Sequence, residues 1–172
     1  TPNNLTPRQL VYYCGTHGAM WGKISIITAR ETKLIRPEHN PGDQFGASLS
    51  TYGNQVLAGS NGESRNGLIN TGAAHLFERD LNGTWVSMEG FRASVPEEGA
   101  RFGQGVSLWG NLVVTGAPGH DSVAGLKGAA YVFENNGTWA QAAKLSPADG
   151  AVHDYFGQSV AARTNRVLVG AH

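Results

Sequence analysis

The side chains able to do acid–base, nucleophilic or metal chemistry are few and scattered. Six histidines occur, and none stands at the i, i+2 or i, i+4 spacing that turns two imidazoles toward one ion. His120-Asp121 and His153-Asp154 are adjacent pairs, which on a strand face opposite ways, so the histidines are expected in turns or at the surface. Two longer loops, SNGESRNGLINT from Ser60 and PGHDSVAGLKG from Pro118, bring Glu63 and Asp121 respectively. Calcium takes six to eight oxygens with several carboxylates, and neither loop has an Asp-x-Asp-x-Asp series. No metal and no cofactor is expected. Ser48 in FGASLS and Ser159 in FGQSVA loosely resemble a nucleophile elbow, but the second glycine and the strand-to-helix setting are missing. The matching position of a third such stretch is Gly105. No catalytic residue is therefore assigned, and the chain is read as a non-enzyme.

Modification chemistry has better candidates. Asn4-Leu-Thr, Asn82-Gly-Thr and Asn136-Gly-Thr are acceptor sequons for N-linked glycan in a secreted eukaryotic chain. Asn-Gly-Thr is equally good turn chemistry without any sugar. Cys14 is the single cysteine, so no disulfide framework exists within the chain. It reads as a small buried hydrophobe or as a bridge to another chain.

The elements that must hold these residues follow from composition. Thirteen basic and thirteen acidic residues cancel in a chain of 172, which leaves no field to hold a polyanion and excludes nucleic acid as a partner. The best candidate for a membrane span, ISIITA at Ile24 to Ala29, is strand-sized, far short of the ~18–20 residues that cross a bilayer. No membrane insertion is expected. Glycine is the outlier, with 24 residues against a typical ~7%. Helix-like faces are confined to Thr6–Tyr12 and Trp139–Lys144. Short β-branched runs between turn dipeptides predict an all-β protein.

Those runs repeat. Phe45, Phe102 and Phe156 are 57 and 54 residues apart, and Gly59, Gly116 and Gly170 keep the same two spacings. Gly72 and Gly128 open TGAAHLFE and KGAAYVFE, while Trp85 and Trp139 sit in identical NGTW contexts. One copy reads as four strands, GQGVSLW, NLVVTGA, GAAYVFEN and TWAQAAKL. Gly110-Asn111 and Gly53-Asn54 supply the tight turn between the first two. Four short antiparallel strands per ~50 residues is the arithmetic of a β-propeller blade. The Phe-Gly pairs (Phe45-Gly46, Phe102-Gly103, Phe156-Gly157) are expected between adjacent blades, and VVTGAP, with Gly116, Ala117 and Pro118, on a strand buried on both faces. Ala73-Ala74 and Ala129-Ala130 are expected where blades crowd toward the axis, with Trp85 and Trp139 in the wider outer part of the wedge.

The order Phe-Gly, Gly-Ala-Pro, Gly-Ala-Ala-Tyr-Val-Phe resembles the FG-GAP repeat of integrin α-subunit propellers and their microbial relatives. FGQSVA, VTGAPG and GAAYVFE carry the resemblance, which covers about Pro41 to His172. It implies a six- or seven-bladed propeller, extracellular or at the cell surface, that serves adhesion, ligand recognition or assembly.

The expected division is a partial outer blade plus connection over 1–40, blades over 41–95 and 96–148, and the first half of a further blade over 149–172. VYYC with Trp21 aligns with the third and fourth strands of a blade. Two, four, four and two strands make about three blades' worth, too few to close a ring, since propellers have four to eight blades. The chain is therefore expected to be a piece of a longer polypeptide, or to self-associate with half-blades of different molecules completing each other. A protein partner is the first expectation. A glycan partner is the alternative, through exposed aromatics such as Trp109, whose counterparts in the other copies are Tyr52 and Arg163. A third reading is an accessory propeller of a larger extracellular protein.

Overall fold

A computed structural model describes residues 11–13, 22–24, 33–36, 38–121 and 125–172. Among these the secondary structure is all β. In chain order the strands are β1 (Val11–Tyr13), β2 (Gly22–Ile24), β3 (Phe45–Tyr52), β4 (Gln55–Ser60), β5 (Ala73–Arg79) and β6 (Trp85–Phe91), then β7 (Val106–Trp109), β8 (Leu112–Ala117), β9 (Ala129–Asn135), β10 (Trp139–Leu145), β11 (Ser159–Arg163) and β12 (Arg166–Gly170). They form two four-stranded antiparallel meanders, β3-β4-β5-β6 and β7-β8-β9-β10, and two two-stranded sheets, β1-β2 and β11-β12.

The helix-like spacing over Trp139–Lys144 belongs to strand β10. Its pairing with β9 shifts register between Gln141 and Ala143. A bulge adds one residue and breaks the period of two, which is why the apolar residues fall at irregular intervals. Cys14 and Asn4 lie outside the described residues.

The sheets stack as successive blades. The first strands follow one another, β7 lying beside both β3 and β11, and mark the inner side. Between the first two blades one cluster joins Leu57, Leu76 and Phe91 to Val106, Leu108, Val113, Tyr131 and Phe133. Between the second blade and the half-blade, Leu112, Val114 and Val132 meet Val160, Ala162 and Val167. Alternate residues of β8 thus serve opposite interfaces, and all six are buried. A strand with both faces covered has no polar side, hence the unbroken run LVVTGA.

The Phe-Gly turn forms each joint. Phe102 is fully buried, packs on Tyr131 and Phe133 at 5.3 and 6.1 Å between ring centroids, and bridges Gly72 of the preceding blade in parallel. Phe156 bridges Gly128 in the same way. Phe45 contacts Phe77 at 5.8 Å. Trp85 and Trp139 open the outer strands opposite Arg79 and Asn135, and Trp139 meets Phe91 edge-on at 5.2 Å across the first interface. Ala73-Ala74 and Ala129-Ala130 are buried on the third strands, away from the inner side. Their small size answers to the Phe-Gly turn of the following blade, whose Gly103 lies against the Ala73 carbonyl.

Candidate functional site

Two charge clusters lie at matching places, just after the second strand of each full blade. In the first, Glu63 is 6% exposed. One carboxylate oxygen accepts from Arg36 and lies 3.0 Å from His75 Nε2; the other accepts from Arg92 Nη2 at 2.6 Å. Arg36 also pairs with buried Asp43, which ties the segment before β3 to the blade. Burial pushes the Glu63 carboxyl upward, but hydrogen bonds from His75 and Arg92 and the charges of Arg36 and Arg92 outweigh it. The net result is a pKa of about 2. A carboxylate wrapped by cations has no lone pair to offer a metal or a substrate proton.

The second cluster puts His120 where the first has Glu63. His120 is 5% exposed, and Lys144 Nζ contacts its Nε2. Its Nδ1 stands 3.0 Å from Glu97 Oε2 without forming a hydrogen bond. Burial lowers its pKa, and the Lys144 charge adds to that against the opposing pull of Glu97 and Asp121. A neutral imidazole accepts from the lysine. Of the expected placement in turns or at the surface, His120 meets the turn, since its N–H donates to Ala117 O at 3.0 Å, but both His75 and His120 are buried, and His75 lies within strand β5. The error has a physical origin: isolated histidines in sequence gave no hint that ionic partners 12 to 39 positions away would make burial tolerable. Among the described residues no group of three or more His, Cys, Asp or Glu side chains is placed to hold a metal ion.

The serines are structural. Ser48 Oγ donates to the Gly103 carbonyl at 2.8 Å, across the blade interface. Ser50 Oγ accepts from Leu108 N, and Ser107 Oγ from Ala162 N, both at 2.9 Å. Two serine hydroxyls thus cross the first joint and one the second. Ser159 is exposed. Asn82 and Asn136 are exposed at the tips of the outer hairpins, in turns held by Asp80 Oδ1 and Asn135 Oδ1. Trp109 is covered on two sides: Tyr52 lies 5.1 Å away between centroids, and the Arg163 guanidinium sits 5.4 Å over its ring. The three matching positions form one stack through three blades. It packs the blades together, although Tyr52 at its end is 41% exposed.

The loops at the other end of the blades enclose the feature with most chemical freedom, a cavity of about 530 Å³ between the second blade and the half-blade. Arg101, Tyr155, Gln158, Asn70 and His172 supply its polar groups, and Pro118, Gly119 and Leu126 its apolar wall. Arg101 and Tyr155 directly precede Phe102 and Phe156. Both take left-handed backbone (φ 55° and 48°), as Gln44 does before Phe45 (φ 53°), so each repeat aims this residue toward the same end. The Arg101 N–H donates to Asn70 O at 3.0 Å and Tyr155 N–H to Leu126 O at 3.2 Å. The Tyr155 ring is stacked between His153 and His172, at 5.9 and 5.2 Å with interplanar angles of 24° and 18°. Apart from Pro118 of the VVTGAP run and His153 beside Asp154, none of these residues stood out in sequence. The available signal was a changing residue, Gln, Arg, Tyr, in front of an unchanging Phe-Gly.

A family model described as FG-GAP repeat matches residues 28–77, 85–133 and 139–172, well over half of the chain. A search of curated proteins returns no match.

Proposed function

Because the chain belongs to the FG-GAP repeat family, whose repeats build β-propeller domains and are typically non-enzymatic, we propose that it is a recognition module, outside the cell or at its surface, that serves adhesion or assembly by presenting its loops on a rigid stack of blades. Repeats of this family are typical of extracellular or surface proteins, and among the described residues no helix is long and apolar enough to cross a membrane. The observation that carries the reading is the loop-end cavity. Its polar side chains are open, whereas Glu63 and His120 spend their charge on neighbours. A pocket with a few convergent polar groups is where a propeller meets a ligand. Glycan on Asn82 and Asn136 at the outer tips would leave this end free.

Retention of the purified chain on collagen-coated and glycan-coated surfaces tests the reading. Retention on protein, reduced in an Arg101→Glu, Gln158→Ala double variant, is the expected outcome. Retention on glycan alone favours the lectin-like alternative, and retention that ignores the double variant overturns the loop-end assignment.

A second reading, assembly through the half-blade, rests on a different observation. β12 is the counterpart of β4 and β8 but pairs on one side only among the described strands, and Leu168 is 73% exposed. An open edge with an apolar face is a template for another strand, here one from a further blade of the same repeat. A solution mass above the 18.2 kDa of one chain that falls on Leu168→Lys would support it.

A further inference from the structure

We propose that the loop-end cavity binds a carboxylate, with the Arg101 guanidinium as the group that receives it. The inference rests on the recognition reading above and specifies the chemistry of the same site. It starts from an imbalance of charge. Arg101 is exposed and lines the cavity, yet no described carboxylate pairs with it. Neither Asp nor Glu lines the cavity. Elsewhere the chain pairs its buried arginine with acids, as Arg36 is with Asp43 and Glu63. Arg101 shares this lack of an acidic partner with Arg65, which lines a cavity of only about 160 Å³; Arg101 alone faces the larger one.

The surroundings narrow the ligand. A guanidinium presents parallel N–H donors that match the two oxygens of a carboxylate. A phosphate dianion wants more donors than one arginine gives, and no lysine lines the cavity. The side-chain amides of Gln158 and Asn70 also line the cavity. They suit hydroxyl or amide groups beside the acid. The volume of about 530 Å³ falls within the ~300–1,000 Å³ of small-ligand sites, so a sugar acid or one acidic residue of a peptide fits.

The backbone that carries the guanidinium is held on both sides. Arg101 is bound at its N–H to Asn70 of the first blade, and its carbonyl accepts from Gln104 N at 3.1 Å. The stack of His153, Tyr155 and His172 stiffens the facing wall. A site fixed before the ligand arrives loses less entropy on binding.

The test is a titration of the isotope-labelled chain, followed by NMR shifts, with glucuronate, N-acetyl-aspartate amide and neutral glucose. Either acid should saturate, on the order of millimolar for one exposed ion pair, and the better of the two identifies the source. Arg101→Ala should weaken the acid about tenfold or more, as loss of charge-assisted hydrogen bonds does. Arg101→Lys, a point charge without the fork, should fall between. Added salt should weaken binding. Binding of either acid that Arg101→Ala leaves unchanged, or no saturation by either acid, overturns the inference. Equal binding of glucose and glucuronate, lost in Gln158→Ala, also overturns it, while leaving the cavity as a recognition site.

Discussion

Thr164 carries the sharpest local conflict between side chain and backbone. It is the first residue of the β11–β12 turn at φ 55°, where the other two copies have Gly53 and Gly110 at 58° and 57°. A β-branched residue is poorly suited to left-handed backbone, which costs roughly 1–2 kcal/mol for non-glycine residues. Thr164→Gly should therefore stabilise the chain by about 1 kcal/mol after glycine's own entropy is deducted. A thermal melt should rise by a few degrees; a fall would mean that the turn is relaxed with threonine in place. This contrast was legible in sequence, because Gly-Asn stands in two copies and Thr-Asn in the third. The stack of Tyr52, Trp109 and Arg163 was legible only as a matched column of positions. That a guanidinium would cap an indole depended on how closely the inner strands approach.

At the scale of elements the joint between blades decides most. A Cβ built at Gly59 would lie 2.1 Å from the Gly103 carbonyl oxygen, and one at Gly116 only 1.8 Å from that of Gly157. Backbone meets backbone, so neither side can swing away. Gly116→Ala should push the half-blade off the second blade and cost about 1–3 kcal/mol or more, the usual range for overpacking. A lowered urea midpoint with selective loss of amide protection in β11 and β12 would register it. Protection unchanged in β11 and β12 would refute the close approach. The matched family segment 85–133 runs from the fourth strand of one sheet, β6, into the third of the next, β9. The unit that repeats in sequence is thus out of step with the sheet and carries one joint in its middle. Sequence spacing made the joint visible; its serine clasps, Ser50 to Leu108 and Ser107 to Ala162, were not foreseen. Serine in an alternating strand reads equally well as a solvent-facing residue.

For the whole molecule, acid is the informative perturbation. Glu63 sits at a pKa of about 2 against an ordinary value of 4.5. A folded-state pKa below the unfolded one adds stability that is complete above about 4.5 and is lost as pH falls toward 2. At 1.36 kcal/mol per unit the ceiling is about 3 kcal/mol. Urea midpoints should fall between pH 5 and 2, and Glu63→Gln should start lower and lose most of that slope. A slope unchanged in the variant would place acid sensitivity in other carboxylates. The same cluster holds Arg36, ahead of the first blade, to Glu63 and Asp43. Low pH should therefore loosen residues 33–43 before the blade interfaces, whose contacts are apolar.

By itself the sequence determined the period, the four-strand unit, the turns and the doubly buried second strand. All of these are written in local propensity and in spacing along one chain. The tertiary structure decided which charges are buried together, which residue before each Phe-Gly faces the loop end, and that Arg101 stands there with no carboxylate partner among the described residues. Those outcomes depend on side chains brought together from blades some fifty residues apart. Pairing of that kind leaves no periodic trace in the chain that carries it.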